Sequence, residues 1–124
     1  MNHGERSRER YPARMPDLAK RRCVPTTSAT PRVPPEEVPL LLASLPGYEA
    51  DLVAGTLFKT YELGDFYETM AFVNAVAFIA HAEDHHPELA VSYRRCVVTY
   101  STHDIGGLSE NDFICAAKIE ALLR

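Results

Sequence analysis

The spacing of hydrophobic and polar positions changes several times along the chain, and each change marks an element. Val38, Leu41, Leu42 and Leu45 recur every three or four residues behind Pro35, Glu36 and Glu37. Proline and acids suit a first helical turn, so a helix is predicted there, with Pro39 tolerated early and Pro46-Gly47 ending it. Tyr48 to Val53 reads as a short mixed strand, and Ala54-Gly55 as a turn. From Thr56 to Leu63 the chain alternates: Leu57, Lys59, Tyr61 and Leu63 face one way, Phe58, Thr60 and Glu62 the other, which predicts a hairpin. Asp65, followed by Glu68 three residues on, caps a helix running to about His81 or Glu83. Phe66, Met70, Val73, Ala77 and Ala80 form one apolar stripe on it, and Phe72, Val76 and Ile79 a second. So broad an apolar surface predicts deep packing across a sheet.

Pro87 disfavours helical geometry in the residue before it. Leu89 to Thr102 returns to strands, with a turn near Ser92 to Arg95, and Ser101 to Leu108 is a loop containing Gly106-Gly107. Ser109-Glu110-Asn111-Asp112 then caps a last helix, with Asp112, Cys115, Ala116, Ile119, Leu122 and Leu123 on one face. The predicted fold is α+β: a two-layer sandwich, α-ββ-α-ββ-α, with a four-stranded antiparallel sheet and helices packed on one face.

Composition adds the boundaries. A chain of 124 residues is one domain's worth. Residues 1–34 are rich in proline and basic, lack sustained periodicity, and read as a disordered N-terminal extension ahead of a single domain over 35–124. Charge divides the same way. Residues 1–32 hold eight Lys/Arg against three Asp/Glu, and residues 33–124 hold five against fourteen. The acidic domain argues against a nucleic-acid surface. No apolar run reaches the roughly 20 residues of a membrane span, and no secretory signal stands at the start. Cys23, Cys96 and Cys115 show neither disulfide-framework nor zinc-knuckle spacing, so a reducing cytoplasm is the expected home.

Candidate chemistry gathers in Asp84-His85-His86-Pro87 and in His103 beyond it. Imidazole titrates near neutral pH, so these side chains can give or take a proton there. No nucleophile motif or phosphate-binding glycine loop accompanies them, which favours acid–base chemistry or binding over covalent catalysis. By spacing alone, a catalytic cluster and exposed histidines at a helix end both stand. His81 and His85 are four apart, but without the internal glutamate of His-Glu-x-x-His they make a weak metal signal, and no metal is expected.

The pattern His81-x3-His85-His86-Pro87-x5-Tyr93-x9-His103-x8-Asp112 resembles the signature of the pterin-4a-carbinolamine dehydratases. Supporting matches run from Asp17-Leu18-Ala19 and Cys23 through Leu45-Pro46-Gly47 to Ser101-Thr102-His103-Asp104 and Gly106-Gly107-Leu108-Ser109. The likeness covers most of residues 15–124, so Met15 is a candidate start. It departs at His81, where the family often has Glu, and at Tyr48, where it usually has Trp.

The resemblance implies dehydration of 4a-hydroxytetrahydropterin to quinonoid dihydropterin, a hydro-lyase step that recycles the pterin used by an aromatic amino-acid hydroxylase. His85, His86 and His103 match the family's catalytic histidines, with His85 and His103 as acid–base groups and His86 holding substrate. His81, Asp84, Pro87, Ser101, Thr102 and Asp112 are the expected binding or supporting residues, and Tyr93 is read as packing. Pterin is the substrate, and no metal, flavin or nicotinamide cofactor is implied. A homodimer or homotetramer is expected. The family also offers a non-catalytic alternative, a protein-binding module of the transcriptional dimerisation-cofactor or carboxylase assembly-factor type. The intact histidine signature favours the enzyme.

Overall fold

The structure, a computed structural model, describes residues 15–124. Its elements are α1 (Met15–Ala19), a 3-10 turn (Pro35–Glu37), α2 (Val38–Leu42), β1 (Glu49–Asp51), β2 (Thr56–Glu62), α3 (Phe66–Glu83), β3 (Glu88–Ser92), β4 (Arg95–Tyr100), a second 3-10 turn (His103–Ile105) and α4 (Glu110–Leu122). The strands form one antiparallel sheet in the order β1-β2-β4-β3. This is the α+β architecture the alternation predicts.

Strand alternation divides the sheet into two faces. Leu57 and Tyr61 of β2 and Cys96, Val98 and Tyr100 of β4 are buried towards the helices, where they meet Phe72, Val76 and Ile79 of α3 and Phe113 to Ala117 and Ile119 of α4. Lys59 belongs to this buried-side set yet keeps its charge satisfied. Its ammonium lies 4.8 Å from the Tyr61 ring centre and donates to Glu120 Oε2 at 2.8 Å and to the Pro46 carbonyl at 2.7 Å. Tyr61 donates to the same Glu120 at 2.6 Å, and its hydroxyl lies 2.8 Å from that of the buried Tyr48.

Four sequence expectations change. Residues 15–34 are not a disordered extension: Leu18 is fully buried, α1 packs on α4, and the segment runs as a strap across the domain. Cys23 N–H donates to Glu83 Oε1 (2.8 Å), Val24 and Asn111 exchange two hydrogen bonds (3.1 and 2.8 Å), and Val33 N–H reaches the Leu108 carbonyl (2.9 Å). Two buried side chains fifteen residues apart, Leu18 and Val33, and hydrogen bonds formed by the backbone leave almost no periodic trace. Residues 1–14 lie outside the described residues, and so does their part of the expected disorder.

The first helix is also shorter than its apolar spacing predicts, a 3-10 turn and five α-helical residues, with prolines at Pro35 and Pro39 supplying no N–H donors. On α3 the Phe72-Val76-Ile79 stripe is buried, whereas of the other stripe Ala80 is buried, Met70 and Val73 are half-buried, and Phe66 and Ala77 are exposed, because one four-stranded sheet covers one flank of the helix. Likewise Leu122 and Leu123 emerge from the core as α4 ends.

Candidate active site

The end of α3 sets the direction of the histidines. Asp65 opens the helix by accepting the Glu68 N–H at 2.8 Å, and Asp84 closes it in the left-handed region at φ 51°. Asp84 N–H returns to His81 O and His85 N–H to Ala80 O at 3.2 Å, the paired bonds of a Schellman motif. Asp84 is the non-glycine residue with positive φ among the described residues. An aspartate pays less than most residues to sit there. The reversal carries His85 inward, while Pro87 leads the chain into β3. It also breaks the helical register that would have set His81 beside His85: His81 stays exposed on α3 and His85 is buried.

His85 Nε2 lies 2.6 Å from Asp112 Oδ1. Asp112 is fully buried at the third position of α4, and its Oδ2 accepts the Ser109 N–H (2.9 Å) and the Thr102 hydroxyl (2.8 Å). Thr102 in turn is 2.7 Å from the Ser109 hydroxyl. A buried carboxylate is stable only when paired and hydrogen-bonded. One side chain here closes the helix capping box and orients an imidazole. The His85 ring lies parallel to that of Tyr100, at 5.8 Å between centres and 5° between planes. A tenth of the His85 side chain is exposed, and among the described residues no hydrogen bond engages its Nδ1.

On the open face of the sheet lies a cleft of about 150 Å³ lined by Thr56, His86, Glu88, Thr99, Ser101 and His103. Register builds it: Thr99 of β4 pairs with Glu88 of β3 on one side and Phe58 of β2 on the other, and Ser101 follows on the same face. His103 sits in the 3-10 turn closed by the Thr102–Gly107 bridge, with Gly106 left-handed at φ 58° and donating to His103 O at 3.1 Å. The strap holds this turn from outside. Thr26 donates to Asp104 Oδ2 at 2.6 Å, and the Arg32 guanidinium donates to the Ile105 and Gly106 carbonyls. From within, Gly55 (φ 73°) lies so close that a β-carbon there would stand 2.8 Å from Gly106 O and Gly107 Cα.

Thus His86, His103 and Ser101 line the cleft, and His85, Asp112 and Thr102 form the buried network on the helix side. Asp84 and Pro87 shape the turn between the two groups, and His81 joins neither. Tyr93 is exposed in the β3–β4 turn and stacks on Phe66 at 5.8 Å. Thr56, Glu88 and Thr99 escape a reading of the sequence because strand register alone brings them together. A larger apolar groove, about 420 Å³ between Ala19, Ala75, Phe78 and Leu122, offers Lys118 as its one charged group and no histidine. Among the described residues no cluster of three His, Cys, Asp or Glu side chains could hold a metal ion, and no helix is long and apolar enough to cross a membrane.

Residues 31–122 match the family model for pterin 4 alpha carbinolamine dehydratase. A Stenotrophomonas maltophilia protein named "putative pterin-4-alpha-carbinolamine dehydratase" is 53% identical over 105 residues, covering 85% of this chain and 90% of its own. A Nitrosospira multiformis protein of the same name is 50% identical over 108 residues, covering 87% and 94%. Among solved structures, a transcriptional coactivator/pterin dehydratase from Brucella melitensis superposes with a TM-score of 0.71 at 29% identity, covering 74% of this chain and 98% of that one. A pterin dehydratase-like RuBisCO assembly factor of the alpha-carboxysome, at TM-score 0.50 and 24% identity over 60% of this chain and 84% of its own, shares the fold. The chain belongs to the pterin-4-alpha-carbinolamine dehydratase family.

Proposed function

We propose that the protein dehydrates 4a-hydroxytetrahydropterin to quinonoid dihydropterin by histidine acid–base catalysis. One observation carries this reading: a His85–Asp112 couple lies behind a cleft that holds two more histidines from separate elements. In the reaction the C4a–O bond breaks, the oxygen leaves as water with a proton from one imidazole, and a second imidazole takes the N5 proton as the C4a=N5 bond forms. One proton is given and one is taken, so the chain needs no cofactor for the step. Imidazole suits both halves of the step, since it can act as acid or as base.

In this reading His85 and His103 exchange protons with the substrate. Asp112 fixes the His85 tautomer through Nε2 and leaves Nδ1 for the reaction, as a carboxylate does for other catalytic imidazoles. His86, with Ser101, Thr99 and Glu88, holds the pterin ring. The hydroxyls and the carboxylate match a ring edged with N–H donors and carbonyl acceptors. Stopped-flow measurement of 4a-hydroxytetrahydropterin decay tests the activity directly. Acceleration over the uncatalysed rate supports it, and an unchanged rate with protein present contradicts it.

The wider setting is part of the same proposal: a cytoplasmic enzyme serving an aromatic amino-acid hydroxylase, and a homodimer or homotetramer. β3 stands at the edge of the sheet with one side unpaired by β4, a place where a second copy can add a strand. Sedimentation at micromolar concentration distinguishes an oligomer from a monomer.

A further inference from the structure

We infer that Cys23 and Cys115 are an oxidation site, a thiol pair that peroxide closes to a disulfide fastening the strap to α4. The inference does not depend on the dehydratase reading. Both residues are free cysteines, and their sulfurs lie 3.5 Å apart although the residues are 92 apart in sequence. A disulfide needs about 2.05 Å, so closure requires roughly 1.5 Å of approach, within reach of side-chain rotation and small backbone adjustment. The surroundings hold the two in place. Cys23 N–H is bound to Glu83, Cys23 Sγ lies 3.6 Å from Asn111 O, and the next residue, Val24, exchanges two hydrogen bonds with Asn111.

The two thiols differ in the way a two-step oxidation requires. Cys23 is half-buried on the strap and open to a small oxidant; Cys115 is fully buried in α4. Cys23 therefore meets the oxidant first. Its thiolate attacks one peroxide oxygen, the O–O bond breaks, and the departing hydroxide becomes water while Cys23 becomes a sulfenic acid. Cys115 sulfur then attacks the Cys23 sulfur. The S–O bond breaks, the oxygen leaves with the Cys115 proton as a second water, and the S–S bond forms. Two thiols lose two electrons, and one hydrogen peroxide becomes two waters.

The location gives the bond a consequence. From Cys23 the strap continues to Thr26 and Arg32, which grip the turn carrying His103, while Asn111 precedes Asp112. Oxidation ties these two regions covalently.

The test treats the full-length protein with hydrogen peroxide, alkylates it under denaturing conditions, and reads intact mass and linked peptides. The wild type is expected to lose the mass of two hydrogen atoms and to retain one alkylatable thiol, Cys96. Its Cys23 and Cys115 peptides should be linked within one chain, reversibly by dithiothreitol, with the thermal midpoint raised by roughly 5–10 °C. Cys115→Ser should stop at a sulfenic acid on Cys23 that dimedone traps, and Cys96→Ser should behave as the wild type. Three alkylatable thiols after peroxide, or a disulfide joining Cys23 residues of two chains, would overturn the inference. The wild-type masses decide the matter even if a variant does not fold.

Discussion

The imidazole of His85 and the carboxylate of Asp112 meet at 2.6 Å, one at the C-terminal end of a helix and the other in the first turn of the next. Two further bonds, from Thr102 and Ser109, hold the carboxylate from its other oxygen. The couple therefore links the packing of the domain to the orientation of a candidate catalytic group.

Replacing Asp112 by Asn keeps the shape and removes the charge. The amide cannot both accept the Ser109 N–H and Thr102 hydroxyl and present an acceptor to His85 with the former geometry. Stability should fall by about 1–3 kcal/mol in urea denaturation, and dehydratase turnover by about 10–100-fold with little change in KM. A variant with wild-type turnover would show that the carboxylate serves the helix cap alone.

His86 and His103 are exposed, so their replacement by Ala should leave stability within about 0.5 kcal/mol. Any loss of activity then reflects chemistry or binding. His86→Ala should mainly raise KM, and His103→Ala should mainly lower kcat, by about 10²-fold or more. Paired thermal melts and kinetics separate these outcomes from misfolding.

The strap makes stability depend on acid. Burial works against the charged form of Glu83, but the Cys23 N–H bond, Lys118 and Arg22 together outweigh it and hold the carboxyl below its ordinary 4.5. A depressed folded-state value means the contribution is full above 4.5 and is lost as pH falls through the lower folded value. Melting followed by circular dichroism should show the wild type losing stability in that acid range. Glu83→Gln should be less stable near neutrality and flatter with pH; an unchanged slope would contradict the assignment.

Leu18→Ala tests whether the strap belongs to the fold. Truncating a fully buried leucine should cost about 2–5 kcal/mol, read by denaturant unfolding, whereas a disordered extension would give no change.

What the sequence disclosed follows from which forces act locally. The Asp65 cap, the Asp112 capping box and the alternation of β2 and β4 each depend on residues a few positions apart, and each appears as the spacing predicts. Leu18 and Cys23 gain their places from α4, nearly a hundred residues away, and so read as linker. The same holds for the cleft. His86 and His103 stand out by type, but Thr56, Glu88 and Thr99 join them through cross-strand register that no local pattern encodes. The inward turn of His85 rests on a left-handed Asp84, a conformation whose sequence trace is a single aspartate before two histidines.

The most direct test of the account is stopped-flow dehydration of a 4a-hydroxytetrahydropterin by the wild type and by His85→Ala, His86→Ala and His103→Ala, at saturating substrate. The wild type should turn over rapidly, with kcat lowered by about 10²-fold or more for His85→Ala and His103→Ala and closer to wild type for His86→Ala. Wild-type turnover by His85→Ala or His103→Ala, or no acceleration by the wild type itself, would contradict it.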